Sequence, residues 1–319
     1  MKFVGYFLVL IFVFSCGRND KQKVEQVLES VENYLTAGKC DEAISKIGTI
    51  SNQDKNALYL KLKASAYACK AGYTTTTFFT TDLSKIDATN LLSSMATFSL
   101  SSDFDGEGNS DYDAIQTAID TLLYAGGISL STNPTAAKRA EIFTSKDANE
   151  INAYLLYLSM VQLGKYVYYY GSTDAAGVKG AGGVGSECFF NYPDGGITNL
   201  NAALAAGGGS CNSDAGLAGH PDLINGTDIV TAKACEGIVL FNIFRDSLVN
   251  LTGSSIPGLD LTTISTAVDA IFAAVTFSDS SIVTLKSQTR CEADFADAAG
   301  NTDLQRYFGF IFELLHNKT

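Results

Sequence analysis

Between residues 103 and 111, oxygen-bearing side chains recur at every second position: Asp103, Asp105, Glu107, Asn109 and Asp111. Hard divalent cations are held by oxygen donors presented in this way along a tight loop. Aligned to a twelve-residue calcium loop, the five take positions 1, 3, 5, 7 and 9, Asn109 through its backbone carbonyl, and Gly108 supplies the turn at position 6. Position 12 is Ala114, where such loops carry a bidentate Glu, and position 8 is Ser110 instead of an apolar residue. An acidic turn capping a helix that starts near Asp113 accounts for the same residues. Calcium and a plain turn both stay open on the sequence.

Cysteine is the second chemistry-bearing type. Apart from Cys16 there are six: Cys40, Cys69, Cys188, Cys211, Cys235 and Cys291. An even number of thiols in an exported chain reads as up to three disulfides. The expected pairs are Cys40–Cys69, Cys188–Cys211 and Cys235–Cys291. No C-x-x-C occurs, so neither a zinc ribbon nor thioredoxin-like redox chemistry is supported.

Other constellations are sparse. His220 lies in a Gly-His-Pro loop and His316 near the end of the chain, neither with a partner at metal or triad spacing. Gly180, Gly182 and Gly185 spell G-x-G-x-x-G, but a tyrosine-rich helical segment precedes them instead of a buried strand, which removes the dinucleotide reading. Tyr166, Tyr168, Tyr169 and Tyr170 suit a pocket lining, and suit a core or interface better. G-x-S-x-G, H-E-x-x-H and S-x-x-K are all absent. A formal net charge of −12 argues against nucleic-acid binding and against a basic membrane-facing patch. The balance favours a protein that is not an enzyme.

The elements that must position these groups are helices. Val24, Val27, Leu28, Val31, Tyr34 and Leu35 form one helical stripe that Gly38 stops. A second helix starts at Cys40, with Ile44, Ile47 and Ile50 on its face. A third, marked by Leu58, Leu62, Ala66 and Cys69, stops at Gly72. Stacked as antiparallel hairpins, the start of the second lies near the end of the third, within reach of a Cys40–Cys69 bond. Further stripes run over Ile115–Leu123, Ile238–Leu251, Ile264–Val275 and Leu304–Leu315. Residues 151–170 are apolar nearly all round, which marks a buried central helix. Thr74–Thr81 is β-prone but lacks a partner. Residues 171–221 are glycine-rich and read as a long loop closed by Cys188–Cys211. The expected fold is all-α: a helical-hairpin array or bundle carrying that loop.

Two family resemblances add to this reading. After Lys2, an apolar run through Phe14 leads into Val13-Phe14-Ser15-Cys16, which resembles the lipobox of bacterial lipoproteins, with small Ser15 before the cysteine and bulky Phe14 before that. The resemblance implies a signal peptide at 1–15, a diacylglycerol thioether on Cys16 and a lipidated tether at 16–22. It also implies residence in the bacterial envelope on a lipid anchor. Gly17, not Asp, favours the outer membrane by analogy with enteric sorting. Tyr34-Leu35-Thr36-Ala37-Gly38-Lys39-Cys40-Asp41-Glu42-Ala43-Ile44 resembles the centre of a tetratricopeptide repeat, and Ala66-Tyr67 with Gly72 the start of the next. Lys55 stands near the repeat's terminal proline, and Val31 at its early small position. The implied organisation is one helical domain, 23–319, with repeat-like hairpins over 23–72 and the glycine-rich insertion at 171–221. The implied function is a membrane-anchored scaffold that binds another envelope protein through a repeat groove. The alternatives are a solute-binding partner of a periplasmic transporter, or an enzyme of unknown mechanism. These three imply a concave groove, an apolar tunnel and a polar carboxylate cleft respectively.

Overall fold

The computed structural model describes residues 20–180, 188–190, 219–225, 228–251, 260–273, 280–296, 298–313 and 315–316. Residues 1–15, read as a signal peptide, Cys16, Cys211, most of the glycine-rich segment and the second and third glycines of G-x-G-x-x-G lie outside them. The fold is all-α. The helices are α1 (Asp20–Thr36), α2 (Cys40–Ile47), α3 (Ala57–Lys70), α4 (Leu91–Ala96), α5 (Ser110–Leu123), α6 (Ala136–Ile142), α7 (Ser145–Tyr170), α8 (Thr231–Leu251), α9 (Leu261–Ala273), α10 (Gln288–Asp294) and α11 (Ala298–Phe312). Among the described residues, strand pairing is confined to Ile224–Asn225 against Asp228–Ile229.

Local chemistry sets the helix ends. Gly38 and Gly72 take positive φ (68° and 78°) where α1 and α3 stop. Beyond each, the next N–H bonds five residues back, Lys39 to Tyr34 and Tyr73 to Ala68. This is the left-handed C-terminal cap that glycine allows at least cost. Thr144 caps α7 reciprocally: its Oγ1 accepts from the Asp147 N–H and donates to the Asp147 carboxylate.

The long α7 is the axis, with α4 and α5 on one side and α8 on another. From Leu155 to Val167 nearly every residue is buried, polar Ser159, Gln162 and Lys165 included. Two glycines permit the closest approaches. A Cβ on Gly164 would lie 2.5 Å from the Met95 carbonyl oxygen of α4. A Cβ on Gly237 of α8 would lie 2.6 Å from the Tyr166 ring, whose hydroxyl donates to the Lys233 carbonyl. We expect Gly237→Ala to destabilise the protein, because overpacking of about 1–3 kcal/mol exceeds the helix propensity gain of about 1. The melting midpoint should fall by about 2–6 °C; a higher midpoint would contradict the packing.

Cys40 and Cys69 are bonded with Cα atoms 5.5 Å apart, and Cys235 and Cys291 at 5.7 Å. The first ties α2 to α3 and the second ties α8 to α10. Cys188 is also disulfide-bonded. Several local expectations are revised. Helix α1 begins at Asp20, inside the stretch read as tether. Helix α2 ends at Ile47, leaving Ile50 beyond it. Leu58, placed on the buried stripe of α3, is 48% exposed, while Tyr59 and Leu60 are buried. Thr75–Thr77 is a helical turn running into a π-helix at Phe78–Asp82, because Phe78 buries its ring against Tyr157 and Phe98. Packing thus overrides β-propensity there. Helix α5 starts at Ser110, earlier than Asp113.

Candidate functional site

The candidate site is a cleft between α5 and α8, which both lean on α7. Along α5, Tyr112, Gln116, Asp120 and Leu123 follow at four-, four- and three-residue steps and so share one face. Along α8, Lys233, Glu236, Val239 or Leu240, and Ile243 do the same. The facing stripes enclose two adjoining cavities of about 380 and 400 Å³ that share Gln116 and Glu236. The polar one is rimmed by Phe104, Glu107, Asp113 and Lys233. The more apolar one is walled by Leu123, Leu130, Val239, Leu240 and Ile243, with Asp120, Tyr124 and Lys286 at its edge.

Polar satisfaction in the cleft is incomplete. Gln116 gives its Nε2 to Asp120 Oδ1 at 3.0 Å, and its buried Oε1 receives no donor. Tyr112 is 5% exposed; its hydroxyl lies toward Glu236 without completing a hydrogen bond. Burial lifts the Glu236 carboxyl above its ordinary value, against the pull of Tyr112 and of Lys233, whose ammonium is 3.9 Å away. The surrounding protein pushes Asp120 up to about 6. Asp120 is exposed at the mouth, where water screens its charge. Lys286 is held down by burial and up by Asp246, 3.7 Å away.

The acidic segment borders this cleft through Gly106, Glu107 and Gly108. Two of its other predicted ligands, Asp105 and Asn109, bond within the turn. Asn109 Oδ1 accepts from the Tyr112 N–H and so caps α5, while its Nδ2 donates to the Asp103 carbonyl and to Asp105 Oδ1. Beneath the turn, Lys165 is fully buried with no hydrogen-bond acceptor for its Nζ. Desolvation lowers its pKa, and the charges of Asp103 and Asp111 work against that. Among the described residues no three His, Cys, Asp or Glu side chains are grouped to hold a metal ion.

The tyrosines gather in the core near the cleft. Tyr166 and Tyr170 are buried, with centroids 4.6 Å apart, and Phe104 stacks on Tyr112 at 4.0 Å. Tyr169 donates to the Asp222 carboxylate across Gly106. Neither histidine is a solvated loop or tail group. His220 is 2% exposed against the rings of Tyr169 and Tyr170, and His316 is fully buried. His316 Nε2 lies 3.2 Å from the Gly177 carbonyl and its Nδ1 has no partner. Nearby, Lys179 and Glu313 form a buried ion pair at 2.5 Å, and Glu313 also accepts the Phe189 N–H.

Sequence reasoning missed Tyr112, Gln116, Asp120 and Glu236. Each stands alone in its own helix, and only the pairing of α5 with α8 makes a set of them. Compared with known proteins, the chain matches no family model, no curated protein and no solved structure. Among the described residues no helix is long and apolar enough to cross a membrane.

Proposed function

We propose that this is an exported lipoprotein of the bacterial envelope, anchored through Cys16, that holds a small ligand in the cleft between α5 and α8. The observation that carries the ligand reading is the pair of unsatisfied polar atoms, Gln116 Oε1 and the Tyr112 hydroxyl, in a cleft that also holds Glu236. Buried polar groups cost free energy unless something bonds them, so unsatisfied ones lining a cavity favour an occupant. The solute-binding reading gains over the scaffold reading because α3, which would carry the repeat groove, is packed between α1, α2 and α5 and buried along most of its length. The disulfides support an oxidising compartment. The Asn109 carbonyl, the expected calcium ligand, accepts the Asp113 N–H in the first turn of α5, which supports a plain acidic turn over a calcium loop.

Native mass spectrometry of the intact protein in mild detergent tests the ligand reading. The wild-type protein should carry an added small-molecule mass that Leu130→Trp loses. Leu130 is 63% exposed on the cavity wall, so the larger ring fills the space without disturbing the core. Equal emptiness of both proteins would count against the reading. For the anchor, the protein should take up radiolabelled palmitate and lose residues 1–15, whereas Cys16→Ala should remain unlabelled with its signal segment uncut. An unlabelled wild-type protein would remove the lipoprotein assignment.

A further inference from the structure

We propose that the ligand of the α5–α8 cleft is an amphipathic organic cation: an ammonium or guanidinium head on a short apolar body. This rests on the cleft being the ligand site described above. The head is assigned from what the cleft lacks. Gln116 Nε2 is already given to Asp120, so the open valence at Gln116 is an acceptor, Oε1. An acceptor is satisfied only by a donor, and Glu236 beside it, while ionised, can only accept. The Tyr112 hydroxyl, at least nine-tenths buried and unbonded, completes the same corner and can accept or donate. A head with several N–H donors and a positive charge matches all three, and charged hydrogen bonds of this type are the strong ones.

Charge agrees with this. Glu107, Asp113 and Asp120 line the cleft and make no ion pair among the described residues, whereas Lys286 is matched to Asp246 and Lys233 to Glu236. The cleft therefore has negative charge to spare, within a chain of net charge −12 that draws cations toward it. The body is assigned from the neighbouring wall. Gln116 and Glu236 are shared with the cavity lined by Leu123, Leu240 and Ile243. A head at the shared corner thus places a chain of a few methylenes along apolar surface.

Such a head reaches the cleft either on a free solute or as a Lys or Arg side chain of another protein. Titration calorimetry on the intact protein in neutral detergent separates these, with hexylammonium and hexylguanidinium as solute probes and acetyl-Gly-Lys-Gly-amide and acetyl-Gly-Arg-Gly-amide as side-chain probes. At least one hexyl cation should bind about tenfold or more tighter than hexan-1-ol, and hexanoate should not bind. Binding of hexyl cations alone supports a free solute; comparable binding of the peptides supports a basic side chain. Glu236→Gln should weaken the cation about tenfold. Tyr112→Phe should weaken it about threefold while leaving the melting midpoint unchanged or higher, because that hydroxyl, though turned toward Glu236, completes no hydrogen bond in the fold. A merely structural tyrosine would not separate the two readouts. Hexan-1-ol or hexanoate binding as tightly as the cations, and losing that binding in Leu130→Trp, would overturn the cation assignment and leave the cleft a ligand site. No cation binding at all, or cation binding indifferent to both variants, would also overturn it.

Discussion

Glu313→Gln is expected to cost about 3–5 kcal/mol of stability, far more than an exchange of one oxygen for one nitrogen suggests. The side chains of Lys179 and Glu313 are 4% and 0% exposed, and the Lys179 Nζ also lies 5.8 Å from the Phe189 ring centroid. Gln keeps one oxygen that can accept the Phe189 N–H, but it sets an NH2 donor where Oε2 accepted from the Lys179 ammonium. What it leaves is an ammonium taken out of water without its counter-charge, which is the expensive state. Adding Lys179→Met removes that stranded charge, and the double variant should regain most of the loss. Denaturant midpoints of the four proteins form the cycle that isolates the pair. A single Gln variant as stable as the wild type would show that the two groups are solvated. The pair joins the segment after α7 to the end of α11, so the single variant should also expose the backbone around Leu315 and His316 to proteolysis.

The second large effect is acid lability from His316. Burial, followed by the nearby Lys179 charge, lowers its pKa to about 3, against the hydrogen bond to Gly177 that works the other way. Donation from Nε2 to the Gly177 carbonyl leaves Nδ1 bare, and a proton there would find no acceptor. The folded ring is therefore neutral through the range in which an unfolded histidine, at about 6.5, becomes charged. Between those values the unfolded chain binds more protons, so stability is complete above about pH 6.5 and is lost as pH falls toward 3. The slope is about 1.4 kcal/mol per pH unit, which amounts to about 3 kcal/mol by pH 4. Asp120 acts in the opposite sense, but its water contact makes its share small. His316→Phe should be less stable at pH 7, through the lost Gly177 bond, and should lose less than the wild type on going to pH 4. Parallel pH profiles of the two melting midpoints would refute this reading.

Much of the fold was legible because helical periodicity is local. The stripes at Val24–Leu35 and Ile115–Leu123, the glycine stops at 38 and 72, and the largely apolar 151–170 each report their element without reference to any other. The same holds for the Cys40–Cys69 bond, which follows from two short helices and a turn. Thr74–Thr81, β-prone but without a partner strand, is helical because β-propensity is a weak local preference and Phe78 packs onto α7. The loop position of His220 and the late position of His316 were legible, but they describe the backbone and say nothing of what packs over the ring.

The amino-acid sequence alone set the helical class, the periodic faces, the helix stops and the Cys40–Cys69 tie, since each depends on residues a few positions apart or on helices adjacent in the chain, whereas the expected Cys235–Cys291 bond spans α9 to join α8 and α10. It determined the acidic segment too, but not its partners. Only the tertiary structure decided that α5 and α8, more than a hundred residues apart, set Gln116 and Tyr112 opposite Glu236. It also decided that Lys179 meets Glu313 out of water. The physical reason is that a buried polar atom acquires its meaning from whichever atoms replace its water, and those atoms come from elements that local periodicity cannot pair.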